Sequence, residues 1–184
     1  MTYKNINFFK LKILFAFVFI LFFADAYSTS RIGLCAKSEY KMNSKDTLIN
    51  PFEKDITLRD KIMRFGIGLL GTPYITAGSS KNGFDCSGFV YFVFNHFKIK
   101  VPRSSSQFKN YGKEIAISEV KKGDLLLFLS PTRNVIGHIG IVTNPKGLES
   151  DFIHSSSGRE MKVIITSLKK PGYTRRFVKA IRVL

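Results

Sequence analysis

Hydrophobic residues follow three different rhythms along this chain. Between Ile13 and Phe23 they are unbroken and uncharged, behind Lys4, Lys10 and Lys12. From Thr57 the rhythm is helical: Leu58, Ile62, Phe65 and Leu69 recur at three- and four-residue steps, with Thr57 placed to cap, Asp60 three residues on, and Gly71-Thr72-Pro73 as the stop. Ser87 to about Phe97 is apolar on nearly every side. Its β-branched and aromatic content would also suit a strand, but its length and an N-cap at Asp85 favour a buried helix. Further on the apolar strings become short: Leu125 to Leu129, Ile136 to Thr143, Phe152 to His154, Lys162 to Thr166 and Phe177 to Val183. Turn sequences such as Lys122-Gly123-Asp124, Asn144-Pro145-Lys146-Gly147 and Pro171-Gly172 separate them. Helices first and strands afterwards, without alternation, predict an α+β domain in which an antiparallel sheet packs against the buried helix.

The unbroken run is short for a bilayer span and suits the middle of a secretory signal. Ala24-Asp25-Ala26 places small residues at both recognition positions, which predicts a signal peptide over residues 1–26 and an exported protein, periplasmic, envelope-associated or secreted. An uncleaved anchor is the competing reading, because apolar residues begin at Phe8. Lipidation is disfavoured, since Cys35 follows Leu34 and lies well past the run. Residues 27–56 are polar, lack a sustained period and contain the Asn50-Pro51 break, so they read as a linker or N-terminal arm before a domain over 57–184.

Charge narrows the partners. The formal net charge is +16, and cleavage after Ala26 would remove three of the 29 basic and one of the 13 acidic residues, leaving +14. Such a balance points to anionic polymers or lipid head groups of the cell envelope, with a merely solubilising lysine-rich surface as the plainer alternative. Nucleic acid is set aside: the chain shows no helix-turn-helix, zinc-finger or ribonucleoprotein signature.

The chemistry centres on Gly83-Phe84-Asp85-Cys86-Ser87-Gly88-Phe89-Val90. If Asp85 caps the helix, Cys86 occupies the first turn, where free N–H groups and the helix dipole favour a thiolate. A cysteine among Phe and Val can equally be a small hydrophobe, and two cysteines in an exported chain can pair, although nothing holds Cys35 near Cys86. Of three histidines, His96 lies about three turns from Cys86 and reads as a structural residue at the helix end. His138 sits in an alternating strand that places it and Gly140 on one face with Ile136 and Val142. His154 sits in the next strand, and a hairpin centred on Lys146 would set the two imidazoles opposite one another. One ring could then take the thiol proton while the other orients it. A metal held by the cysteine and two histidines is the rival use, without the close spacing of ordinary zinc motifs.

Six blocks in order carry a family resemblance: Gly71-Thr72-Pro73-Tyr74; Gly83 to Val90; Val101-Pro102-Arg103-Ser104-Ser105-Ser106-Gln107; Lys122-Gly123-Asp124-Leu125; Gly137-His138-Ile139-Gly140-Ile141; and Phe152-Ile153-His154-Ser155-Ser156. Together, over roughly residues 57 to 184, they resemble the NlpC-type papain-like cysteine peptidases of bacterial cell walls. The resemblance implies a papain-like (NlpC-type) fold, with Cys86 as nucleophile, His138 as general base and then acid, and His154 as the polar orienter. It also implies Tyr74 as a hydroxyl beside the nucleophile, and Asp85, Ser87 and Ser105 as contacts to the substrate peptide. Asp85 and Ser87 would serve helix capping as well. The implied reaction is hydrolysis of an amide in peptidoglycan stem peptides, γ-D-glutamyl-diaminopimelate or a related cross-link, with no metal or organic cofactor and no stable membrane insertion after signal cleavage. Competing readings are an amidase or acyltransferase of the wider papain-like group, and a wall-binding protein with a silent site.

Overall fold

The computed structural model describes residues 56–184. The signal peptide expected over 1–26, all but the last residue of the arm expected over 27–56, and Cys35 lie outside the described residues.

The first helix, α1 (Leu58–Ile67), begins as its capping residues require: Thr57 Oγ1 accepts the Asp60 N–H at 3.2 Å. It ends earlier than the periodicity suggests, at Gly68, whose N–H bonds back to the Arg64 carbonyl. Ile62, Met63 and Gly66 form the buried face, whereas Leu58, expected on that face, is exposed. A two-strand ribbon follows, β1 (Ser79–Ser80) and β2 (Gly83–Phe84), where the sequence reads as a Gly/Ser loop.

The second helix, α2 (Cys86–His96), fills the centre of one layer. Asp85 caps it by accepting the Gly88 N–H at 2.6 Å. Phe89, Val90, Val93 and Phe94 are completely buried, so packing overrides the β propensity of the segment. His96, at the end of α2, stacks on Phe65 of α1 with ring centroids 3.9 Å apart, the structural role its position implies.

Six strands form the other layer: β3 (Lys113–Ile115), β4 (Leu125–Leu129), β5 (Ile136–Asn144), β6 (Asp151–Ser155), β7 (Val163–Ser167) and β8 (Phe177–Arg182). All pair antiparallel, in the order β3-β8-β4-β5-β6-β7. The short β3 and two 3₁₀ turns, Ser105–Asn110 and Ile117–Glu119, carry too little pattern to be read from sequence. Both faces of the central strands are covered. Leu125 and Leu127 of β4 pack with α1 and α2, while Leu126 and Phe128 join Val142, Phe152, Leu168 and Ala180 on the opposite face. Side chains alternate along a strand, so a run of four apolar residues is what a strand buried on both faces needs.

Two register shifts alter what simple alternation predicts. In the β4–β5 ladder Phe128 pairs with His138 but Leu129 pairs with Ile136, leaving Gly137 as the extra residue. Ile136 therefore joins the α2 side of the core, and the expectation that it shares a face with His138 is overturned. Between β5 and β6, Ile141 faces Ile153 and Val142 faces Phe152, with an irregularity before Asn144. That register puts Gly140, not His138, opposite His154, so the two histidines are diagonal neighbours.

The layers are tied at one buried carboxylate. Asp124, fully buried at the start of β4, accepts from Arg59 of α1 at 3.0 Å, from Arg182 of β8 at 2.7 and 3.0 Å, and from the Lys121 N–H at 2.7 Å. Replacing one partner of such a group leaves buried polar atoms and nearby cations uncompensated. Asp124→Asn should therefore lower the unfolding free energy by about 3 kcal/mol in urea titrations monitored by circular dichroism. An unchanged midpoint would show that the two arginines contribute nothing here.

Candidate active site

Three elements meet at the candidate site: the start of α2, the bulged start of β5, and β6. Asp85 positions the helix start from both sides. Besides capping Gly88, its Oδ1 and Oδ2 receive the Arg103 guanidinium at 3.0 and 2.9 Å, and Ser87 Oγ donates to Oδ1 at 3.3 Å. Arg103 also donates to the carbonyls of Ala77 and Gly78 at 2.7 and 3.2 Å, pinning the preceding loop onto the helix. The approach is so close that a Cβ on Gly88 would lie 2.0 Å from the Gly78 oxygen.

Cys86 is half-buried, and its Sγ lies 3.8 Å from the carbonyl oxygen of Gly137. The thiol thus abuts the residue that immediately precedes His138. Tyr74 shares with Cys86 a cleft of about 460 Å³ that also takes in Asp85, Ser87, Arg103 and Ser105. Asp85 and Ser87 are largely engaged with Arg103 and the helix start, whereas Ser105 lines the open cleft.

Behind the cleft His138 Nε2 meets His154 Nδ1 at 3.0 Å, with the rings nearly perpendicular. His154 Nε2 continues to Thr166 Oγ1 at 3.1 Å, and the Tyr173 hydroxyl stands 3.4 Å from the same nitrogen. His154 is 0% exposed and His138 7%, so His138 is the ring nearer the opening. With Nε2 taken by His154, Nδ1 is the nitrogen of His138 left for a reacting proton. Gly140 makes the diagonal arrangement possible: a Cβ there would lie 2.4 Å from the Phe152 ring.

Burial dominates the electrostatics. It holds His138 well below the ordinary imidazole range, with the His154 and Arg176 charges acting in the same direction, and it brings His154 down to about 4. Both rings are therefore neutral at pH 7. For Cys86 the expectation of a thiol lowered toward the thiolate is overturned. Burial is the largest effect and the charge of Asp85 the next, and together they push the thiol up to about 11. The backbone N–H groups of Ser87, Ile139 and Cys86 pull the other way without prevailing. The resting pair is thus thiol and imidazole, not an ion pair. Burial likewise raises Tyr74, with the Cys86 and Asp85 charges adding, so its hydroxyl keeps its proton and can donate.

Tyr74, Cys86, Asp85, Ser87 and Ser105 thus share one cleft, and His138 and His154 form a bonded pair beside it. Thr166, Tyr173, Arg103 and Arg176 received no role from sequence reasoning. Thr166 carried the faint signal of a hydroxyl in an otherwise apolar strand, but its partner is fixed only by the β6–β7 register.

A helix-start cysteine beside a histidine on an antiparallel sheet defines a papain-like α+β domain. Residues 71–182 match the model of the NlpC/P60 family, and the chain belongs to that family. It is 30% identical over 146 residues to a "Probable endopeptidase" of Haemophilus influenzae, covering 79% of this chain and 84% of that protein. It is 33% identical over 132 residues to "Murein DD-endopeptidase MepS/Murein LD-carboxypeptidase" of Escherichia coli, covering 71% of this chain and 66% of that protein. Among solved structures, an NlpC/P60 family protein from Bacillus cereus superposes with a TM-score of 0.63 at 31% identity, over 71% of this chain and 41% of the other.

The raised thiol has a direct consequence. A group whose folded pKa lies above its ordinary value holds its proton to higher pH, so the reactive thiolate is scarce at pH 7 and grows as pH rises toward about 11. Iodoacetamide labelling of Cys86, read by peptide mass spectrometry to separate it from Cys35, should be slow at pH 6 and still increase above pH 9. A plateau reached by pH 6 would show a preformed thiolate–imidazolium pair instead.

Proposed function

We propose that this protein is an exported cysteine peptidase that hydrolyses an amide bond in peptidoglycan stem peptides, a γ-D-glutamyl-diaminopimelate or related cross-link bond. The observation that carries the reading is the placement of the Cys86 sulfur, at the start of α2, against the backbone beside His138, whose far nitrogen bonds His154. Family membership and the murein-directed activity in the name of the Escherichia coli relative support the substrate class. The high positive charge fits an anionic polymer mesh. Among the described residues no helix is long and apolar enough to cross a membrane.

The chemistry follows from the protonation states. His138 carries its hydrogen on Nε2 and donates it to His154 Nδ1, which leaves Nδ1 of His138 free to accept the thiol proton as the sulfur attacks the carbonyl carbon. His154 carries its own hydrogen on Nε2 and donates it to Thr166 Oγ1. The tetrahedral oxyanion meets the backbone N–H of Cys86 or Ser87 and the protonated hydroxyl of Tyr74. Collapse expels the amine, which takes the proton back from His138, and leaves a thioester on Cys86. Water, deprotonated by the same imidazole, then releases the acid and regenerates the thiol.

Purified protein incubated with muropeptides should yield new free amino and carboxyl termini. Cys86→Ala and His138→Ala should each lower the rate by at least about 10³-fold, and Tyr74→Phe by about tenfold. Identical product masses and rates from wild type and Cys86→Ala would exclude thiol chemistry; a new amide or ester among the products would mark an acyltransferase.

A further inference from the structure

A second cavity of about 280 Å³ is lined by His138, Gly137, Ser156, Ser157, Tyr173 and Arg176 among others. It includes His138 but not Cys86, whereas the larger cleft includes Cys86 but not His138. Given the chemistry proposed above, this division assigns the sides. The acyl half of the scissile amide ends on sulfur, so it occupies the Cys86 cleft. The amine half leaves with the His138 proton, so it occupies the Arg176 cavity.

Arg176 is the only charged residue among those lining that cavity. It is held firmly: Nε donates to the Gly172 carbonyl at 2.7 Å, Nη1 donates to the Leu129 carbonyl at 3.2 Å, and the guanidinium lies over the Tyr173 ring, 5.2 Å from its centroid. Both anchors are neutral oxygens, and among the described residues no carboxylate lies within ion-pair distance of it. Arg103, on the acyl side, instead has its guanidinium matched by Asp85. One side of the scissile bond therefore presents a compensated cation and the other an oriented, uncompensated one. Serine hydroxyls at Ser156 and Ser157 and the Tyr173 hydroxyl add neutral hydrogen-bonding groups around it.

We infer that Arg176 is a specificity residue that binds a free carboxylate on the residue released as the amine, making this enzyme selective for substrates whose leaving half is anionic. A fixed guanidinium recognises a carboxylate through charge-assisted hydrogen bonds and gains far less from a carboxamide. Binding there also places a negative charge near His138, whose basicity Arg176 otherwise opposes. The carboxylate thus favours the proton transfers as well as docking.

The test uses the full chain and two synthetic stem peptides that differ only in a free carboxylate or a carboxamide on the residue released as the amine. Wild type should cleave the carboxylate peptide with a kcat/KM about tenfold or more above that of the amide. In Arg176→Gln the ratio should fall to about one, and in Arg176→Lys, which keeps the charge, it should remain above that of the Gln variant. A ratio in Arg176→Gln equal to wild type, or no preference in wild type, would overturn the assignment, whatever happens to absolute rates. Calorimetry on the Cys86→Ala protein keeps this separate from the cleavage reading. A carboxylate preference in binding that disappears in the Cys86→Ala/Arg176→Gln protein supports the assignment even if neither peptide is cut, and equal affinities defeat it.

Discussion

One hydrogen bond organises the proposed site, the 3.0 Å contact between His138 Nε2 and His154 Nδ1. An imidazole has two nitrogens and, when neutral, one hydrogen, so fixing the partner of one nitrogen decides what the other can do. With the hydrogen on Nε2, His138 presents a lone pair at Nδ1 and can act as a base; with the hydrogen on Nδ1 it cannot. Thr166 and Tyr173, both against His154 Nε2, surround the second ring with hydroxyls that suit a donated hydrogen. Burial then keeps both rings neutral, which makes the distinction between tautomers matter across the ordinary pH range.

One of the sheet's irregularities falls at the same few residues. A bulge at Gly137 lets the strand turn its carbonyl toward Cys86 while His138 keeps its place beside Phe128. Two residues on, Gly140 admits the Phe152 ring where any side chain would collide. Opposite them, the start of α2 is fixed through Asp85, which serves cap, ion-pair partner and hydroxyl acceptor together. Rigid supports on both sides hold a thiol and an imidazole in a site where neither is charged at rest. The proposed reaction therefore moves a proton during attack and does not begin from a stored ion pair, as burial raises Cys86 more than its backbone donors lower it.

Much of this was legible in the sequence, for identifiable reasons. The strands β4 to β8 announce themselves because buried strands are short, apolar and bounded by turn residues, and α2 because eleven residues behind an Asp cap fit no short strand. The cysteine and both histidines were legible as candidates because few residue types supply such chemistry, and the structure brings Cys86 to Gly137, next to His138, and His138 to His154. What escaped depended on register and on three-dimensional balance. The bulges at Gly137 and before Asn144 add single residues that leave no trace in alternation, so Ile136 changes face and the histidines become diagonal. The thiol's acidity is not legible, because a helix start is visible in sequence whereas the depth of burial around a sulfur, which raises Cys86, is not. Thr166 and Arg176 join the site only once β7 and the segment before β8 are folded back against it.

The most direct test is the tautomeric state of the two rings, read from ¹⁵N chemical shifts and one-bond N–H couplings of the histidines at pH 7. The account predicts that His138 and His154 both carry their hydrogen on Nε2, with His154 Nδ1 as the acceptor and His138 Nδ1 bare. A hydrogen on His154 Nδ1, donated to His138 Nε2, would put the hydrogen of His138 on its Nδ1, leave no lone pair there for the thiol proton, and contradict it.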